Sequence, residues 1–219
     1  MRTTLLAMAL LAGCADIGPA DEPLLADGSD GDGADAAPTG GDADAAPAEE
    51  VCVEGTFQLL DNPGFDDGPV KWIEDESPII FPDEQIPITP HAGSRAAWLG
   101  RAGTADQHLS QPIDLPLGIT SLRFSGQVCL VTSEDAANGA LDTVAVAVQD
   151  ENGDSIVALI SYSNLDASAI CNWASFDVAI AQAYTPGPAV LDLHAISAAG
   201  GMTSFYFDTL ALDATTDCP

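Results

Sequence analysis

The side chains able to do chemistry here are three histidines, many acids, a few tryptophan and tyrosine rings, and five cysteines. His91, His108 and His194 stand outside any GxSxG or HExxH frame, so neither a hydrolase elbow nor a zinc-protease helix is encoded. His91 precedes a Gly-Ser turn, and His194, next to Leu193, is expected to face solvent. His108 shares a strand face with Ser110, but that pair lacks the third, orienting acid that nucleophilic catalysis requires. With so many acids in one chain, some glycosidase-like carboxylate pair arises by chance, and counting them supports no catalytic claim. The sequence reads as that of a noncatalytic protein.

The aromatic rings carry a different chemistry. Sugar rings stack on aromatic faces while amides and carboxylates address their hydroxyls. Trp173 has the opposite parity to Phe176 and Val178, which turns it outward, and with Tyr162 and Trp72 it is the expected ligand-facing set. Trp98 alternates with Ala96 inside a strand and reads as core.

The cysteines divide into one and four. Cys14 closes the letters LAGC after Arg2 and the apolar run Leu5 to Leu11, which is too short to span a bilayer and has the form of an export signal. LAGC resembles the lipobox of bacterial lipoproteins. The resemblance implies a signal peptide over residues 1–13 and lipid on Cys14. Ala15 rather than an Asp follows the cysteine, which by the usual sorting rule directs the protein to the outer membrane or cell surface. Cys52, Cys129, Cys171 and Cys218 form an even set of the kind that oxidises outside the cytoplasm. Three pairings are possible. Cys52 with Cys218, which flank the domain, and Cys129 with Cys171 on interior strands is the pairing expected of a sandwich whose ends lie close. A zinc site is the alternative, and no CxxC or HxxxH spacing supports it.

A formal net charge of −29 repels phosphate backbones and anionic headgroups, which excludes nucleic acid as a partner class. Residues 14–50 are mostly Ala, Asp, Gly and Pro, with no Lys, Arg or aromatic residue, and cannot bury enough apolar area to offset ordering entropy. They read as a disordered acidic tether with a reach of about 30–40 Å. The calcium-like stretch DGSDGDGAD within it lacks the DxDxDG frame and its closing Glu.

Residues 51–219 are the folded part, and their apolar residues alternate in short runs broken by Gly, Pro, Asn and Asp. Strands are expected over Val51 to Leu60, around Ala96 and Trp98, at Leu109 to Leu115, and at Leu122 to Val128. Asp142 to Gln149 and Ser155 to Tyr162 form a hairpin about Asn152-Gly153. Strands follow at Phe176 to Ile180, Leu191 to Ala195 and Phe205 to Leu212, while Trp72 to Pro90 reads as a long loop with short edge pieces. No amphipathic helix is encoded. The fold class is all-β, a two-sheet antiparallel jelly-roll sandwich of about nine or ten strands.

The order of NPGFDDG, Trp72, HAGSRAAWLG, LSQPIDLP, SLRFSG, YSNLDAS, SFDVA and TSFYFDTLAL resembles that of jelly-roll modules appended to secreted bacterial peptidases and glycan-degrading enzymes. These are the carbohydrate-binding-module and MAM-like sandwiches. The resemblance implies a polysaccharide or surface glycoprotein as ligand, with a protein-interaction or surface-coat lipoprotein as the alternative. It also implies one structural Ca2+, held by Asp66, by Asp208 and by backbone carbonyls around Gly93, with Asp67 able to replace Asp66. This chain departs from the family pattern at Thr209, where a second Asp would follow Asp208.

Overall fold

Period-two alternation gives one buried and one exposed side to a strand, and β5 shows it most plainly. The computed structural model describes residues 51–75, 78–101, 105–198 and 201–218. Its strands are β1 (Gly55–Gln58), β2 (Ile73–Glu74), β3 (Ile80–Pro82), β4 (Arg95–Leu99), β5 (Ala105–Leu115), β6 (Ile119–Thr132), β7 (Thr143–Gln149), β8 (Ser155–Ser163), β9 (Ala174–Ala181), β10 (Gly187–Ser197) and β11 (Thr203–Thr216). In β5, Ala105, Gln107, Leu109, Gln111, Ile113 and Leu115 are buried while Asp106, Pro112 and Asp114 are exposed. The two inward glutamines are satisfied. Gln107 Oε1 accepts from Gly100 N at 2.8 Å, and Gln111 exchanges two bonds with the Asp61 backbone at 2.7 and 2.9 Å. Left unpaired, each amide would cost about 1–3 kcal/mol.

All strand pairs are antiparallel, as expected. One sheet runs β3-β4-β11-β6-β9, with β1 also on β11, and the other runs β2-β5-β10-β7-β8. The inner faces meet in one core that includes Leu109, Phe124, Val146, Leu191, Leu193, Phe205, Phe207 and Leu212. Among the described residues there is no α-helix, only three single-turn 3-10 segments, and no helix is long and apolar enough to cross a membrane. The signal peptide at 1–13, the tether at 14–50 and the lipid on Cys14 lie outside the described residues.

Cys52 is bonded to Cys218 and Cys129 to Cys171. The first closes a separation of 166 residues and the second one of 42. On the chain-entropy account these closures are worth about 5 and about 4 kcal/mol.

Two sequence expectations are corrected and one is refined. Trp98 and Ala96 lie in a hydrophobic cluster, as expected, but not in the one between the sheets, which Ala97 and Leu99 enter. The other two join a second cluster with Phe81, Ile86 and Ile88 on the outside of β4. Because β4 is covered on both sides, its parity carried no information about which side is the main core. The opening strand is shorter than Val51 to Leu60, with Val53 exposed and Leu60 rather than Leu59 buried. The β7-β8 hairpin forms, but not around a two-residue turn. Asp150 N donates to Asp154 O, and Asp150 Oδ1 accepts from Asn152 N and Asp154 N, leaving Gly153 in the left-handed region at φ 84°. The Asp150 side chain thus builds a three-residue loop where a type I′ turn was expected.

Phe124 is fully buried and packs on Phe176 with ring centroids 5.0 Å apart. Phe124→Ala is expected to lower unfolding free energy by about 3–5 kcal/mol, read from the denaturant midpoint at unchanged slope.

Candidate functional sites

Residues 61–72 form a loop wound about Asn62. Its Nδ2 donates to Gly68 O at 2.8 Å and Val70 O at 3.3 Å, and its Oδ1 accepts from Asp67 N at 3.2 Å. Inside the loop Phe65 packs against Trp72, centroids 5.1 Å apart, and both are buried. Trp72 Nε1 donates to Asn62 O at 3.0 Å. The expectation that Trp72 meets a ligand is therefore corrected: its ring belongs to the core and its one donor is used. Plugging Phe65 into the core turns its neighbour Asp66 out to the surface.

Asp208 comes to the same place from the other end of the chain. The β11-β6 register is interrupted between Asp208 and Ala211, and Thr209 lies at φ 53°, rare for a β-branched residue. This irregularity lets Phe205 and Phe207 face the core before it, and Leu210 and Leu212 after it. Leu210 N donates to Pro63 O at 3.0 Å, tying the irregularity to the Asn62 loop. Residues 91–94 then lie against both acids. Ala92 N donates to Asp208 Oδ2 at 2.9 Å and Ser94 N to Asp66 Oδ1 at 2.8 Å.

Asp66, Gly93 and Asp208 are thus neighbours. Gly93 sits at φ 58°, and a Cβ there would fall 2.0 Å from Asp66 Oδ1, so only glycine leaves room for that carboxylate. Asp208 is fully buried. Burial pushes its carboxyl above the usual carboxylate range, while backbone donation from Ala92, Thr209 and His91 and the Thr209 hydroxyl pull it back. Asp67 is exposed and gives its backbone N–H to Asn62.

The second set of candidates lies along residues 168–175. This segment is pinned to β6 by the Cys129–Cys171 bond and by Thr132 N to Ser168 O and Ser168 N to Leu130 O, at 3.0 and 3.2 Å. On one side is a groove of about 520 Å3, lined by Ile88, Thr89, Ile170, Trp173 and Tyr206 among others. Trp173 is half-buried and donates Nε1 to Thr89 O at 2.9 Å. On the other is a hollow of about 280 Å3 where Tyr162 meets Asp166, Ser168, Asn172 and Ser175. Trp173 and Tyr162 therefore line separate depressions that share one wall. His91 joins the two regions, with Nδ1 3.4 Å from Thr209 Oγ1 and its ring edge-on to Trp173 at 5.9 Å.

Sequence reasoning missed Asp166, Asn172 and Thr89. Asn172 stands between Cys171 and Trp173, a visible signal; the other two reach the depressions only through the fold.

No family model matches the chain, and no curated protein matches it. Solved structures similar to it in fold include the TmCBM61 module in complex with β-1,4-galactotriose, 18% identical, covering 71% of this chain and 97% of that one with a TM-score of 0.48. The CBM22-1 xylan-binding domain from Paenibacillus barcinonensis is 14% identical, covering 77% and 99%, with a TM-score of 0.44. The K1 cleaved adhesin domain of Lys-gingipain from Porphyromonas gingivalis W83 is 18% identical, covering 75% and 99%, with a TM-score of 0.46.

Gly93→Ala forces a side chain into the left-handed region and displaces the Asp66 carboxylate. It is expected to cost about 1–2 kcal/mol in chemical denaturation, and Asp66→Ala should make the loss smaller by removing the clash.

Proposed function

We propose that residues 51–219 form a noncatalytic binding module for a polysaccharide or glycoprotein outside the membrane, carried on the 14–50 tether and anchored by lipid on Cys14. The observation that carries this reading is the pair of depressions along the disulfide-pinned segment 168–175. Each offers one half-buried ring, Trp173 or Tyr162, and the Tyr162 hollow adds an amide, a carboxylate and hydroxyls. That is the donor set a sugar needs, a flat apolar face with convergent polar groups beside it. Two disulfides accord with an exported domain. Ala15 after Cys14 points to the outer membrane or cell surface.

The proposal includes one structural Ca2+ held by Asp66 and Asp208, with carbonyl oxygens near Gly93 completing a shell of six to eight hard oxygens. The residues fit such an ion. Two carboxylates lie against one three-residue stretch of backbone, and burial disfavours the charged form of Asp208, a cost that a divalent cation would offset. The ion would bring the NPGFDDG loop, residues 91–94 and the β11 irregularity under one constraint. Because His91 contacts both Thr209 and Trp173, that constraint extends to the groove.

One observation favours the second reading, a protein-interaction or surface-coat lipoprotein. Ile170, on the rim of the Trp173 groove, is 68% exposed, and Ile88 lies beside it. An apolar rim suits a protein side chain as well as a sugar.

A glycan array probed with the chain, with and without EDTA, separates the two. Binding that falls at least tenfold in Trp173→Ala or Tyr162→Ala is expected; silence across plant, fungal and bacterial glycans would sink the sugar reading. Millimolar Ca2+ is expected to raise the melting temperature and EDTA to reverse it, a response lost in Asp208→Ala. Identical melting in both conditions removes the calcium assignment.

A further inference from the structure

The outer face of the β2-β5-β10-β7-β8 sheet carries a constellation that the reading above does not use. In the β5-β10 pair His108 stands opposite His194, two residues along and on the same face as Asp106 opposite Ile196. Residues directly opposite in an antiparallel pair point the same way. The two imidazoles accordingly stack, with centroids 3.9 Å apart and planes 13° from parallel. Asp106 Oδ1 lies 2.7 Å from His194 Nε2 and 3.9 Å from His108 Nε2. One donor atom from each of the three lies within 4.8 Å of the others.

We propose that Asp106, His108 and His194 bind a first-row divalent transition-metal ion of the zinc class. Imidazole nitrogen with one carboxylate oxygen is a donor set for zinc or copper, whereas calcium demands oxygen alone. Donors at about 2.0–2.1 Å from a tetrahedral ion stand about 3.3 Å apart. The observed 2.7 and 3.9 Å from Asp106 bracket that value, and the two imidazole nitrogens lie within 4.8 Å of each other.

A second observation aims His108 at the ion. Asp192 lies beyond that ring with its side chain almost wholly buried, and its oxygens sit 3.0 and 3.1 Å from His108 Nδ1. A carboxylate only accepts, so Nδ1 donates to Asp192, and Nε2 is the nitrogen left to face Asp106 and His194. Gln149 Nε2 holds Asp192 in turn at 3.0 Å. A buried carboxylate behind a histidine is the arrangement that fixes the tautomer of metal ligands. The backbone of His108 is held too, its N–H donating to Asp75 Oδ1 at 2.7 Å. On the β7 side, position 194 faces Ala145, an exposed residue with a small side chain. The metal takes the place of the hydrogen bond between His194 and Asp106. Three protein donors leave one tetrahedral position to solvent, as in sites that take an exchangeable ligand.

Titration of the metal-free, full-length chain in detergent with Zn2+, in excess Ca2+ to occupy the acidic surface, is expected to show one tight equivalent. His108→Ala/His194→Ala should lose it, Asp192→Ala should weaken it by about 10–100-fold, and Glu151→Gln, an exposed acid of the β7-β8 loop, should leave it unchanged. No equivalent bound, or an equivalent retained by the double variant, overturns the proposal. Cu2+ on the unaltered chain gives a readout independent of any variant. Electron paramagnetic resonance with hyperfine coupling from two imidazole nitrogens supports the site, and an oxygen-only signal overturns it. None of these readouts depends on a glycan or on Ca2+ at Asp208.

Discussion

The antiparallel pairing of β11 with β6, whose register shifts after Asp208, is the contact on which the rest of the molecule depends. Both strands run 14 residues, and β11 also carries β1 and β4 along its other edge. Its first half buries Phe205 and Phe207, its second Leu210, Leu212 and Ala214. A strict period of two cannot put both sets on one side, so the register must shift between them, and Thr209 takes up the shift at positive φ. Asp208 is buried at the point of irregularity, where its Oδ1 accepts from Thr209 N at 2.6 Å and its Oδ2 from Ala92 N. The strained residue and the buried acid are one feature, and the 91–94 loop docks against it.

β6 positions the other candidate region. Its edge binds the 168–171 segment through backbone hydrogen bonds and the Cys129–Cys171 bond, turning what would be a mobile connection into a wall between two depressions. Trp98 and Tyr206 stack beneath, with centroids 5.4 Å apart, and give the Trp173 groove a firm floor. The Tyr162 hollow is lined by β8 of one sheet and by β6 and β9 of the other, whereas the paired histidines stand on β5 and β10.

Much of this was legible in the sequence because it is written in local periodicity and punctuation. Alternation marks β5, β7, β10 and β11, and NPGFDDG marks the loop that Asn62 organises. The even cysteine set, with one member at each end of the domain, gives the pairing that the structure forms. The same reasoning placed Trp98 in a core but did not say which one, because a strand buried on both faces carries no parity signal. It misjudged Trp72 because a ring in a turn-rich stretch can as well fill the core as face out. Only the contact with Phe65 and the use of its N–H by Asn62 decide that.

The sequence alone determined the fold class and the compartment expected from cysteine usage. These are sums over many residues, insensitive to any single contact. The tertiary structure decided which distant side chains meet: Asp66 with the loop that also binds Asp208, and His108 with His194, Asp106 and Asp192. The contacts of His108 with His194 and Asp192, and of Asp106 with His194, depend on cross-strand register between segments more than eighty residues apart. Register is settled by how two whole strands fit, and a one-residue slip would send every one of these groups to the opposite face.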